Sequence, residues 1–248
     1  MQGSFFNNMK TVNIRGVNIA DMTMDEAVSF ICKRLTSGMT TTVFTTNAEM
    51  AYAQLRDQSL RDILNGCDLN VADGIGIIKA SRILGCPLRE KVAGVELGLK
   101  IAEILAFRDI PLFLYGADEG VAELAGNKLA KAFPSLKIAG SFWGYGSEDE
   151  AISAINRSGA KAVFVCLGFP KQEKWICENK DKLPGVKLFI GLGGSLDVYS
   201  GKKKRAPKIF IDLGMEWLYR LIREPKRIFR MTALPRFYFG TWMCRLRK

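Results

Sequence analysis

The chain contains no histidine. This removes serine–histidine–aspartate and cysteine–histidine nucleophile systems, histidine-ligated zinc and histidine acid–base chemistry. A proton acceptor must therefore be an Asp, Glu, Lys, Tyr or Cys side chain. Residues able to bind or react gather in five short strings: Thr45-Thr46-Asn47, Ala72-Asp73-Gly74, Tyr115-Gly116, Gly168-Phe169-Pro170 and Gly191 to Ser195. The carboxylates singled out among and beside them are Asp73 and its rival Asp197. The familiar cofactor signatures fail. Gly74-x-Gly76 is followed by Lys79, and Gly191-x-Gly193 by Leu196, so the glycine fingerprint of nicotinamide enzymes is absent. No phosphate-loop motif occurs, and no Asp-x-Asp pair, the metal–diphosphate clamp of many sugar transferases. The Asn156-Arg157-Ser158 sequon reads as a chance match.

The elements that must position these residues alternate. Thr11 to Ile14 and Val17 to Ile19 read as a hairpin around Arg15-Gly16. Thr23-Met-Asp-Glu26 is a capping box opening a helix to about Ser37. Strands are expected at Thr40 to Thr46, Leu69 to Ala72, Pro111 to Tyr115, Leu136 to Ser141, Ala162 to Leu167 and Lys187 to Ile190. Between them fall helical stretches: Ala48 to Leu64 in two pieces, Ile75 to Leu84, Gly94 to Phe107, Glu119 to Phe133, Glu148 to Arg157 and Lys171 to Lys182. The fold class is α/β: a mostly parallel sheet with helices on both faces. Such sheets take ligands beyond the carboxyl ends of their strands, where all five strings fall.

At 248 residues, with 48% apolar and 25% charged, the chain is ordinary for a globular protein of one domain with an appendage. No apolar run approaches the 18 or so residues of a membrane-spanning helix. Six cysteines (Cys32, Cys67, Cys86, Cys166, Cys177, Cys244) are scattered without a C-x-x-C pair and are expected to be reduced, mostly buried thiols of a cytosolic protein. The net charge is +11, and its placement is informative. Residues 201–248 hold 14 Lys+Arg against 3 Asp+Glu, so the rest of the chain is neutral. The same segment carries eight aromatics: Phe210, Trp217, Tyr219, Phe229, Phe237, Tyr238, Phe239 and Trp242. The expected division is a flexible leader over 1–10 (Met9 a natural start), an α/β catalytic domain over 11–200, and a membrane-association appendage over 201–248. Pro225 and Pro235 are expected to break the tail into short amphipathic pieces, with FYFGTWM (237–243) as an interfacial wedge. Two alternatives stay open: a helix packed on its own domain, and a nucleic-acid surface of stacked rings and cations.

Four strings stand out: TTNAEM (45–50), ADGIG (72–76), LGFPKQE (167–173) and GLGGSLDVYSGKKKRAPK (191–208). With KVAGVEL (91–97) and GMEWLYRLIREPKR (214–227) they resemble the WecG/TagA/CpsF family of bacterial glycosyltransferases (glycosyltransferase family 26) in order and spacing, from about Asn13 to about Arg230. The resemblance implies a Rossmann-like fold with a C-terminal helical appendage, and an inverting, metal-independent transferase with no cofactor. It acts on the cytoplasmic face of the cell membrane as a peripheral protein and homo-oligomer. It moves a sugar from a UDP donor to a lipid-diphosphate-linked N-acetylglucosamine (GlcNAc). The TagA-like branch, which the chain most resembles, uses UDP-N-acetylmannosamine (UDP-ManNAc) and starts the wall teichoic acid linkage unit. The WecG-like branch uses the corresponding uronic acid.

In that role Asp73 is the expected catalytic base, taking the proton of the acceptor hydroxyl as it attacks the anomeric carbon; as an alternative it is a helix cap. Asp197 is the rival carboxylate or a turn stabiliser. Thr45 and Asn47 are expected to hold the sugar, or to cap the next helix. Gln172 at a helix start is expected to hold nucleotide or sugar, with Lys171 adding charge and Glu173 pairing with it. Gly191 and Gly193 would let backbone approach the diphosphate or uridine. Lys91, Arg205 and the tail arginines Arg220, Arg223, Arg227 and Arg230 would neutralise the departing diphosphate, from the same or a neighbouring subunit, unless they face solvent or lipid. The chain departs from the family pattern at Lys91, where Arg is usual, which turns a forked grip into a point charge, and at Glu96, where Asp is usual. The expected partners are a UDP-sugar, the lipid-linked acceptor and an anionic membrane, with no nucleic acid. A non-catalytic nucleotide- or RNA-binding module is the competing function.

Overall fold

The computed structural model describes residues 9–223, 225 and 233–246. The leader up to residue 8 lies outside them. Thr11–Ile14 (β1) and Val17–Ala20 (β2) pair antiparallel, with Ile14 opposite Val17. Their two-residue turn, Arg15-Gly16, has φ of 54° and 105°, the left-handed pair that a tight hairpin requires. Thr23 caps α1 (Met24–Thr36): its hydroxyl accepts from the Glu26 N–H, while the Glu26 carboxylate accepts from the Thr23 N–H, so the expected capping box forms.

The chain then alternates. β3 (Thr41–Thr46) leads to α2 (Ala48–Ala53), a short 3-10 turn and α3 (Gln58–Asn65). β4 (Leu69–Ala72) leads to α4 (Ile75–Ile83) and α5 (Gly94–Phe107). There follow β5 (Leu112–Gly116), α6 (Val121–Ala132), β6 (Ile138–Phe142), α7 (Glu148–Ser158), β7 (Ala162–Cys166), α8 (Lys171–Asn179), β8 (Leu188–Gly191) and α9 (Ser195–Tyr199). Six strands form one parallel sheet in the order β4-β3-β8-β7-β5-β6. Every residue of β3, β5, β7 and β8 is buried, because helices cover both faces. That is why β5, β7 and β8 read as apolar runs and not as alternation. One core layer holds Phe44, Val163, Val165 and Phe189; the other holds Val43, Phe164, Leu188 and Ile190.

The topology sets the place for chemistry. β3 runs outward to its neighbour β4, whereas β8, on its other side, leads into α9, which packs on α6. Adjacent strands whose chains leave in opposite directions open a crevice at their carboxyl ends.

Beyond Gly201 come α10 (Lys208–Asp212), α11 (Glu216–Arg223) and α12 (Ala233–Leu246). Pro235 sits in the first turn of α12, where the N–H it lacks would have no helical partner; the stretch between it and Pro225 lies outside the described residues. One expectation is corrected here: FYFGTWM is not wholly a wedge. Phe237 and Thr241, one turn apart, are fully buried where α12 packs against α2 and α4, whereas Phe239 is 66% and Trp242 51% exposed. Phe237 meets Tyr52 edge-on at 6.5 Å, and the Arg15 guanidinium lies 5.8 Å over its ring and donates to its carbonyl. Gly240 makes this approach possible, since a Cβ there would lie 2.5 Å from Arg15 Nη1. The cysteines are all free, but only Cys166 is buried outright. Cys67, Cys86 and Cys177 pack on the rim of one core layer, and Cys244 is exposed.

Candidate active site

A cleft of about 540 Å³ opens at the carboxyl ends of β3, β4, β7 and β8. Four of the five strings meet there. The fifth does not: Tyr115 is buried against Trp175 at 4.8 Å, and a Cβ on Gly116 would strike the Cys166 backbone.

Thr45, at the end of β3, donates its hydroxyl to Gly191 O at 3.1 Å and so joins β3 to the glycine loop. It also packs on the start of α5; a Cβ on Gly94 would lie 3.1 Å from its hydroxyl. Asn47 is the cap of α2, its side-chain oxygen accepting from the N–H of Glu49 (3.0 Å) and Met50 (3.1 Å). The amide nitrogen is left without a partner among the described residues. Asp73 follows β4, half-buried, with its N–H donating to Thr46 O at 2.9 Å. It lines the cleft and does not cap α4: the cap position is Gly74, at φ 87°, with no side-chain cap bond. The uncapped N-terminus of α5 (Ala93, Gly94, Val95) adds the positive end of a 14-residue helix to the wall.

The opposite wall comes from β7 and β8. Gly193, at φ 56°, has open space where a Cβ would project. Gln172 is buried beside it and its amide is used within the protein: Oε1 accepts from Gly193 N–H at 2.8 Å, and Nε2 donates to Glu173 Oε1 at 2.7 Å. The expected pairing of Glu173 with Lys171 is thereby corrected. Lys171 turns outward, donating to Gly144 O at 3.0 Å and lying 5.6 Å over the Tyr145 ring. Glu173 points inward and is fully buried, with Oε2 unpartnered among the described residues. Burial pushes its carboxyl up to about 7.

The cations divide. Arg205 lines the cleft in an ion pair with Glu96, with its Nε buried and unpartnered among the described residues. Lys202, Lys203 and Lys204 line it too. Lys202 pairs with Asp118, and Lys203 with Asp197 at 2.9 Å, which gives Asp197 a turn-holding place outside the cleft lining. Lys91 does not line the cleft, although its neighbour Val92 is bonded to Ala72 O at 2.9 Å. Glu216, Tyr219 and Arg223 of α11 close the rim. Arg220 belongs to α11, but its side chain lies outside what is described, as do Arg227 and Arg230 altogether. Among the described residues no cluster of three or more Cys, Asp or Glu side chains is arranged to hold a metal. Sequence reasoning missed Lys202 to Lys204 and Tyr219. The available signal was the run KKKR shortly after the glycine loop and α9, which belongs to the strand-end group and not to the tail.

The arrangement supplies three carboxylates at the cleft wall, Glu49, Asp73 and Glu216, with a glycine loop open to a ligand and a cationic rim. It can accept a proton beside a bound anionic group of diphosphate size. Comparison with known proteins agrees with that chemistry. The model of the glycosyl transferase WecG/TagA/CpsF family matches residues 12–248. A Bacillus subtilis (strain 168) protein named N-acetylglucosaminyldiphosphoundecaprenol N-acetyl-beta-D-mannosaminyltransferase is 32% identical over 92% of this chain and 90% of its own length. A protein of the same name from Staphylococcus aureus (strain MRSA252) is 34% identical over 94% of this chain and 92% of its own.

Proposed function

The chain belongs to the WecG/TagA/CpsF glycosyl transferase family, and we propose that it transfers N-acetylmannosamine from UDP to GlcNAc-diphospho-undecaprenol, starting a wall teichoic acid linkage unit. The names of the relatives support the acceptor and the transferred sugar. The observation that carries the reaction is the meeting of Asp73, the Gly193 loop and the basic rim in one cleft.

In this reading the donor diphosphate lies along the Gly191–Gly193 loop and the cationic rim. The Asp73 carboxylate takes the proton from the acceptor hydroxyl while the hydroxyl oxygen bonds to the anomeric carbon from the side opposite UDP. The anomeric carbon–oxygen bond to UDP breaks, its electron pair leaves with the diphosphate, and the configuration inverts. Arg205, Lys204 and Arg223 balance the charge that collects on the leaving group, the part a metal plays elsewhere. Arg220, Arg227 and Arg230, and Lys91 through its neighbour Val92, are secondary candidates. The Asn47 amide nitrogen bonds a sugar hydroxyl in this reading, its oxygen being taken by the cap of α2. Gln172 acts by holding Gly193.

The tail supports a peripheral place on the inner membrane face, where such an acceptor would sit. No helix among the described residues is long and apolar enough to cross a membrane. Yet Ile209, Leu213, Trp217, Ile222, Phe239, Trp242 and Leu246 are exposed on α10, α11 and α12 among the cations. A second copy covering part of this surface is the reading for a homo-oligomer.

The test is incubation with a lipid-linked GlcNAc diphosphate analogue and a panel of UDP-sugars, following UDP release. Release with UDP-ManNAc alone is expected. Release with only the uronic acid donor would reassign the donor within the family. Release with none, together with tight RNA binding at physiological salt, would favour the nucleotide- or RNA-binding alternative.

A further inference from the structure

The buried Glu173 carboxyl has no part in the transfer as described, and it is a poor choice for stability alone. Among the described residues one oxygen has a single hydrogen bond and the other has none, and Lys171 is turned away. That one hydrogen bond is to its neighbour, the Gln172 amide. A glutamine amide can sit in two ways related by a half-turn, and only its bonds choose between them. Here Nε2 points at the Glu173 carboxyl and Oε1 at the Gly193 N–H, at 2.7 and 2.8 Å. Turning the amide over would set its N–H₂ against the Gly193 N–H and its oxygen against the carboxyl. Both hydrogen bonds would be lost and like groups would face each other. The side chain is also wedged: a Cβ on Gly191 would lie 3.0 Å from Nε2, so the amide rests against the last residue of β8.

We propose that Glu173 is a positioning residue for the cleft: its carboxyl locks the Gln172 amide with the oxygen toward Gly193, and this holds the glycine loop in the shape that receives a nucleoside diphosphate. The inference rests on the donor site placed at that loop above. It assigns a task to a residue whose side chain is sealed off from the cleft, and it makes the loop's geometry depend on a two-bond relay, Glu173 to Gln172 to Gly193.

The test uses the full chain with Glu173→Met and Glu173→Gln, in two measurements. The first is hydrogen exchange of the Gly193 amide without ligand. Glu173→Met, close in size and apolar, should speed it by about tenfold, the loss of one modest hydrogen bond. Glu173→Gln, whose amide oxygen can accept the same N–H, should stay within about threefold of the parent. The second is UDP titration and donor kinetics. Glu173→Met should raise the UDP Kd and the donor KM together by about tenfold with kcat within about threefold, and Glu173→Gln should restore both. Unchanged Gly193 exchange in Glu173→Met would overturn the proposal. So would a Glu173→Gln variant as impaired as Glu173→Met. Should Glu173→Met fail to fold, Gln172→Met must show the same faster exchange, and a protected Gly193 there would equally break the relay. A parent protein that shows the exchange pattern but does not bind UDP would defeat the donor-site reading and leave the positioning role standing.

Discussion

The body up to Ser200 and the tail beyond it handle apolar surface in opposite ways. In the body a parallel sheet is covered on both faces, and charge is balanced to neutrality. In the tail the whole +11 excess lies beside seven of the large exposed apolar side chains. The boundary between them is not sharp. α12 turns Phe237 and Thr241 into the body and Phe239, Trp242 and Leu246 away from it, so one helix is core on one side and free apolar surface on the other. A segment with both properties is suited to join a rigid cleft to a surface outside the molecule.

That contrast can be broken at the anchor. Phe237→Ala removes a fully buried ring between Tyr52 and Arg15, and should lower stability by about 3–5 kcal/mol in denaturant unfolding. A loss under about 1 kcal/mol would mean that α12 is not part of the body's cooperative unit. The body can be probed through Glu173. Burial raises its carboxyl from 4.5 to about 7, so between those values the folded chain keeps a proton that the unfolded chain releases. Stability should therefore fall as pH rises from about 4.5 to about 7, by on the order of 3 kcal/mol, and flatten above. Glu173→Gln should erase that slope and gain on the parent at pH 8 but not at pH 4, read by thermal unfolding across pH.

Smaller effects sharpen the tail. Replacing Phe239, Trp242 and Leu246 together by Ser should weaken capture by anionic liposomes at least about tenfold. Unfolding should barely move, because all three are more than half exposed. Equal loss of stability and capture would put this face in the core instead. The smallest expected change is none: EDTA should leave the transfer rate where it was, the cations of the rim doing the neutralising.

The legible parts of the fold were local. The capping box at Thr23, the Arg15-Gly16 turn and the apolar strand runs each carry their cause within a few residues, and their ends fall within about two residues of expectation. The strand-end rule then gathered four of five strings into one cleft. What stayed hidden depends on partners distant in sequence. Arg205 meets Glu96 and Arg15 meets Phe237 across more than a hundred positions. Glu173 looked like a surface partner for Lys171, since nothing in GFPKQE says which side of the first helical turn faces the sheet. Asn47 was legible only as two alternatives, and the structure puts its oxygen in the capping role.

The assignment of Asp73 as the proton acceptor is tested most directly by the rate of UDP release from UDP-ManNAc with the lipid-linked acceptor in Asp73→Ala, beside its unfolding midpoint. The account predicts a rate lower by about 10²–10⁴-fold with the midpoint nearly unchanged. Turnover within a few-fold of the parent, in a folded variant, would contradict it.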